Sequence, residues 1–482
     1  MRSIIYLYNV ILIVISIILF GLGIYSEKLL IIQSSILLIW LNNILYSLAN
    51  FYKRVIFLFF NISFGIFLLG RIIVRSFNNT YMWDKFPESI TKHVFICLFL
   101  ALLSIFLGYF IREIFLERKI KNSHQNKIKF TSKKILVIFR KNYEKVFLFG
   151  FYSTILFSFI DVYYNIQLSK QTGYLGQYLL TESPSPPLIY YLSHFNNVFF
   201  ILTLAILPSY KKTLPILLIK LVNASLFLFT GKRIIIAEIL LLIIIYFCFR
   251  HILDGKKSVW ITKKKIGLSV FVIVFLLICF EYVGNIRLGT KASFDIGKSI
   301  LSLFDSLGYS VETIALGKIH ETGFPGNPQL YLFGPLINWF KDLFNIGVVY
   351  SGQTVETALY GYKFSSTLTY LEVPSVYLSG GGLGSSYLAE IYLGFGYTGI
   401  VIINLLLGCF FHFLKINQHD KLVIKYFKLY WLWGILTIPR FNVFSWFTDS
   451  ISKTTIILLI FIFLVVLILS RNVNYKKQMN TN

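Results

Sequence analysis

Apolar residues run along this chain in blocks of roughly 20, separated by short polar clusters. A helix of about 20 residues spans the ~30 Å hydrocarbon core of a bilayer. The pattern predicts an all-α polytopic membrane protein with about 12 transmembrane helices. They are expected at about 4–24, 29–50, 55–74, 92–112, 145–165, 189–208, 213–230, 233–250, 266–284, 386–412, 422–439 and 452–470. Only MRS precedes the first block and no small-residue cleavage site follows it, so it reads as a retained span. The organisation is then helices one to nine over 1–284, a large extracytoplasmic loop over 285–385, and helices ten to twelve with a short cytoplasmic tail over 386–482.

Within the loop, the apolar period changes. GPLINWFKDLFNIG puts Leu336, Ile337, Phe340, Leu343 and Phe344 on one helical stripe, with Asn338, Lys341, Asp342 and Asn345 mostly opposite. Two readings fit: a helix lying on the membrane surface, and a helix packed on the loop's own core. In a second outer segment, 166–188, the prolines of TESPSPP stiffen the return to the membrane. No internal repeat is visible.

Composition agrees with the pattern. The 482 residues are 56% hydrophobic and 14% charged, with a mean hydropathy of +0.71, too little charge for a soluble chain of this length. The net charge of +25 first suggests an anionic partner. Its distribution suggests topology. With both termini cytoplasmic, the cytoplasmic segments carry 29 of the 46 Lys and Arg and 5 of the 21 acids. Apart from Lys220, which lies mid-span, the rest of the chain then carries 16 of each sign. This is the positive-inside bias, and it leaves no basic surface for nucleic acid. The loop 118–145 adds a contact for anionic lipid heads.

Several chemistries are excluded. Cys97, Cys248, Cys279 and Cys409 all fall in expected spans, so no disulfide framework or metal site is indicated. There is no GxxxxGK[ST] and no DxD, so neither ATP-driven nor metal-dependent nucleotide-sugar chemistry is expected. No cofactor is implied.

The candidate chemistry lies where the charges contradict the topology rule. Arg71 and Arg75 sit at the outer end of the third span, Lys232 and Arg233 open the eighth in TGKRIIIAE, Arg287 follows the ninth, and Arg440 ends the eleventh. Each has a bland reading as a snorkelling residue or as the partner of an acid such as Glu238, Glu281 or Asp449. Together they suggest a site for phosphate, whose geometry the guanidinium fork matches. Lys220, about 15 Å below the outer surface at 1.5 Å per residue, is expected to pair with Asp161 or Glu238. GGGLGSSYLAE, residues 380–390, is not a dinucleotide fingerprint, because Ser385 stands where the third glycine belongs. It offers a helix start instead. Gly382 and Gly384 allow close approach to an anion, Ser385 or Ser386 caps, Tyr387 follows, and Glu390 lies about one turn inside. The alternative is that Glu390 pairs with a neighbouring arginine.

LSGGGLGSSYLAEIYLGFGYTGIVI resembles the late motif of the O-antigen polysaccharide polymerases of the Wzy type, through Gly384, Ser385, Ser386, Ala389, Glu390, Phe395, Gly396 and Gly399. TGKRIIIAE is similar to the Gly-x-Arg segment of that family. The Arg-x10-Gly pattern of some members is absent, since Gly297 lies one place short of Arg287. The resemblance implies a glycosyltransferase in the bacterial cytoplasmic membrane, with its active site facing the periplasm or exterior. Its donor and acceptor would be oligosaccharides linked to undecaprenyl diphosphate. A sugar hydroxyl would attack the anomeric carbon and undecaprenyl diphosphate would leave, with no nucleotide or metal. A flippase and a chain-length regulator of the same pathway are expected partners. On this reading Arg233 and Arg287, helped by Lys232, Arg440 and Arg75, hold the diphosphate. Glu390 activates the acceptor hydroxyl, with His320, Glu321 and Glu312 as rival bases. An O-antigen ligase, a lipid-linked oligosaccharide flippase and a structural scaffold are the competing functions. Gathering of ionisable groups at the outer rim favours the enzyme.

Overall fold

Long apolar runs become helices here because a lipid environment requires every backbone group to be bonded within its own segment. The computed structural model describes residues 2–123, 133–255, 258–288 and 296–479, and among these every regular element is helical. Some side chains inside the helices, those of Glu281 and Arg287 included, lie outside the described residues. Eleven helices are long and apolar enough to cross a membrane: Leu7–Tyr25, Leu29–Leu48, Phe51–Phe77, Glu88–Leu116, Tyr143–Gly176, Pro187–Ala205, Tyr210–Thr230, Ile234–Asp254, Lys263–Gly284, Tyr387–Phe413 and Ser445–Leu469. On the first of them Leu7, Val10, Val14 and Ile18 are exposed, an apolar face suited to lipid.

The expected span at 422–439 is shorter than its hydropathy suggests. Its helix, Leu422–Ile435, has 14 residues and reaches about 21 Å. Pro439 has no N–H for the carbonyl of Ile435, so the helix stops there. The chain turns through Ile438–Arg440 and the short helix Ser445–Ser450 before the last span.

The expected span 386–412 also differs. Gly396 interrupts it with φ 61° and ψ −157°, a conformation that a side chain strongly disfavours. The halves fold against each other. Tyr387 Oη donates to Asn404 Oδ1 at 2.7 Å, whereas 17 residues of straight helix would separate them by about 25 Å. Gly399 packs onto Ile391 and Phe395 of the first half in the same way. Residues 387–395 therefore form a half-helix doubled back on 397–413, and the Ser385–Ser386 tip lies beside the middle of the second half. Irregular backbone at that level is tolerated only inside protein or against a water-lined cavity. Ser385, Ser386 and the half-helix up to Ile391 are all buried.

Two glycines hold this unit in the bundle. A Cβ on Gly108 would lie 2.0 Å from Leu405 O, and one on Gly408 would lie 2.2 Å from Ile105 O. Backbones of 397–413 and Glu88–Ser123 touch because neither glycine has a side chain.

The 296–386 segment folds as a set of short helices. Gln329–Phe344 starts earlier than the stripe at 336 suggested, and its first half packs on protein as one of the two readings expected. Tyr331, Leu332 and Gly334 are buried in protein, while Phe333, Phe340 and Phe344 are exposed.

Candidate active site

Lys232 and Arg233 occupy the turn between Tyr210–Leu226 and Ile234–Asp254. Gly231 turns the chain at φ 79°, and Gln177 Nε2 binds the Thr230 carbonyl at 3.0 Å. Arg233 Nη1 donates to Phe280 O at 2.5 Å and lies against Gly284, three residues before Arg287. The fold thus brings Arg233 to the helix segment that carries Arg287. Lys232 faces the other way, within electrostatic range of Asp161. Burial holds its ammonium below the usual lysine range, and Asp161 partly opposes that shift.

One segment joins two buried-site carboxylates. Thr437 Oγ1 donates to Glu238 Oε1 at 3.2 Å, and the backbone of Val443 lies within interaction range of the Glu390 carboxylate, whose Oε2 is buried without a hydrogen-bond partner among the described residues. Arg440 belongs to the same segment, its guanidinium 5.7 Å from the centroid of the Phe67 ring. Glu390 itself is 1% exposed. Its Oε1 accepts from Ser385 Oγ at 2.8 Å. The pairing with an arginine considered above is replaced by this neutral donor and by the positive end of its own half-helix. The expected serine cap is absent, because Ser385 turns to Glu390 and Ser386 makes no side-chain cap bond. Ser386 Oγ is buried with no hydrogen-bond partner among the described residues.

A cluster of polar and ionisable side chains connects Asp161, Lys220, Glu238 and Asp449. Asp161 accepts from Ser185 Oγ at 2.5 Å and from Ser193 Oγ at 3.1 Å. Lys220, expected to pair with Asp161 or Glu238, hydrogen-bonds to Asn196 Oδ1 and Asn197 Oδ1 at 3.1 and 2.6 Å, with Asp161 in electrostatic range. Glu238 and Asp449 are within electrostatic range of each other, and Tyr190 senses both Asp161 and Asp449. Asp449 is exposed, and its carboxylate makes no hydrogen bond or ion pair among the described residues.

The remaining sequence candidates lie in other networks. Arg75 binds Asp305 Oδ1 at 3.2 Å and Glu312 Oε1 at 3.6 Å, while Arg71 and Lys85 share the same carboxylates. This supports the pairing reading for both arginines and occupies Glu312. His320 Nε2 lies 2.6 Å from Glu372 Oε2. Glu321 is held by Lys318, whose ammonium is pushed up by its bonds to Glu321 and Tyr392. Gly382 is exposed near Gln353 and Thr369, and Gly384 is left-handed at φ 83°. Tyr387 is fully buried on Asn404.

A family model described as O-antigen polysaccharide polymerase Wzy matches residues 8–473. The chain belongs to this family. It is a multi-pass membrane enzyme of the glycosyltransferase type that polymerises lipid-linked repeat units. No curated protein and no solved structure matches it. For a polymerase, this cluster of acids supplies what sequence order alone concealed. Asp449, Glu238 and Asp161 appeared along the chain only as possible partners of basic residues. Their position inside apolar spans, where ionisable groups are costly, was the available signal.

Proposed function

We propose that the polymerase joins its repeat units at this cluster of acids and cations, on the extracytoplasmic face of the bacterial cytoplasmic membrane. The observation that carries this reading is the Thr437–Val443 segment, which carries Arg440 and reaches Glu238 through Thr437 and the surroundings of Glu390 through Val443. Charge asymmetry supports the orientation, since it puts the basic fringe in the cytoplasm.

The lipid-linked donor carries a diphosphate between sugar and undecaprenyl chain. Arg233, Arg287 and Lys232, with Arg440 and the half-helix N-terminus, provide cations and N–H donors for it. They stabilise the negative charge that grows as the bond from the anomeric carbon to the diphosphate breaks. The acceptor hydroxyl forms the new glycosidic bond, and its proton passes to a carboxylate. Asp449 has the exposure and the vacant oxygens for that step. Glu390 acts through position, holding the Ser385 tip near the Val443 backbone.

A gel of surface polysaccharide tests the reading, using cells without the gene complemented by wild type, Arg440→Ala or Asp449→Asn at matched membrane levels. A single capped repeat in the null, a ladder with wild type and a single repeat with either variant are expected. A null with no repeat on the acceptor would overturn polymerisation at this site in favour of ligation or transport. Full ladders from both variants would overturn the residue assignments.

A further inference from the structure

Helix Gln329–Phe344 bridges the loop-side ends of two membrane elements. Near its start, Gln329 packs on Gly394, and Phe333 meets Phe395 and stacks on Phe444 at 5.7 Å. Toward its end, Trp339 Nε1 donates to Ile451 O at 2.7 Å, and Lys453 Nζ binds Asn345 Oδ1 at 3.0 Å. Gly394 stands two residues before the break at Gly396, and Lys453 opens the last apolar helix. A helix pinned to the same-side ends of two spans runs along the bilayer surface, not into it.

The uncovered face of this helix is aromatic. Phe340 and Phe344 are 50% and 55% exposed, and Ile346 and Val348 in the following turn are 57% and 60% exposed. Asp342 and Asn345 lie off that face, and Lys341 and Lys453 border it. Such a patch is costly in water, and the last span, tied to this helix through Ile451 and Lys453, exposes Ile457, Ile460 and Phe461. Long lysine stems at the edge of the patch can carry their ammonium groups to the headgroups.

We propose that this face is seated in the outer-leaflet boundary between headgroups and acyl chains, so that Gln329–Phe344 anchors the segment over the site to the membrane. The occupant is the lipid surface itself. On the function proposed above, the anchoring holds the acid cluster close to the level at which a lipid-linked diphosphate sits.

The test is the depth of a nitroxide on Phe344→Cys, Phe340→Cys and Asp342→Cys, each in the full chain with the four native cysteines replaced by alanine, reconstituted in phosphatidylethanolamine–phosphatidylglycerol nanodiscs. Positions 340 and 344 are expected to collide more with oxygen than with a water-soluble nickel chelate, while 342 shows the reverse. Equal access of the nickel chelate to all three would overturn the proposal. So would shielding of 340 and 344 from both reagents, which marks burial against protein. Ladder formation certifies each variant's fold, and Ile346→Cys replaces any that fails.

Discussion

Tyr387 Oη and Asn404 Oδ1 meet at 2.7 Å across 17 positions of what hydropathy reads as one helix. The bond reports a chain reversal, and the reversal depends on Gly396. Gly396→Ala puts a side chain into a backbone conformation that costs about 1–3 kcal/mol. Lower thermal stability in detergent and a weakened polysaccharide ladder are expected. Tyr387→Phe leaves Asn404 Oδ1 buried without its donor, at a cost of about 1–3 kcal/mol. Combined with Asn404→Leu, the loss should be clearly less than additive, because the two side chains share one interaction. Additive melting shifts would mean that the bond does not join the halves.

Glu390 separates positioning from proton transfer. Its Oε1 accepts from Ser385, and an amide oxygen can accept in the same place. Glu390→Gln should therefore retain most of the ladder, whereas Glu390→Ala removes both acceptors and should shorten chains severely. Equal loss in the two variants at equal membrane levels would return Glu390 to the role of base.

Span existence was legible because length and apolarity suffice for a bilayer. The fold-back was not, because hydropathy does not register one glycine at positive φ. The LGFGYTG run looked like a smooth turn of helix, and its glycines instead mark the reversal. The 422–439 span was overread for a related reason, since Pro439 costs the helix a hydrogen bond without lowering apolarity much. Candidate arginines were visible as charges at outer helix ends, but their company was not. Arg75 meets Asp305 across 230 positions, and Glu238 meets Thr437 across 199. Spacing carries no information at that range.

The Arg71–Arg75–Lys85 group should act on stability. Glu312 is 2% exposed and forms ion pairs with all three cations. Glu312→Ala leaves Arg71 and Arg75 with Asp305 alone and Lys85 with neither acid, a loss of about 1–3 kcal/mol. Membrane levels and melting temperature should fall first, and the ladder only in proportion to the protein that remains. Loss of the ladder at full protein levels would instead place this network in the chemistry.

Lys232 gives a pH signature. Burial lowers its pKa from the usual lysine range, so the group is charged below that depressed value and neutral above it. Its help to an anionic donor is present at low pH and lost as pH rises through the depressed value. Polymerisation by purified enzyme should therefore decline on the alkaline side earlier than an ordinary lysine would allow. Lys232→Arg stays charged throughout and should remove that decline. An unchanged alkaline limb in an active Lys232→Arg enzyme would rule Lys232 out as its source.

Asp449 carries the sharpest prediction about the chemistry. Asp161, Glu238 and Glu390 each accept at least one bond from the protein, whereas the Asp449 carboxylate accepts none among the described residues. A carboxylate left open beside other acids is poised to take a proton from a bound hydroxyl. Asp449→Asn keeps shape and loses basicity. The rate of repeat-unit joining should fall about 10²–10⁴-fold, the range of a general base, while binding of the lipid-linked donor stays near wild type. Asp449→Glu should recover part of the rate, because the base returns one methylene displaced. If Asn and Glu variants polymerise equally well, proton transfer belongs elsewhere in the cluster, and Glu238 on Thr437 becomes the next group to change.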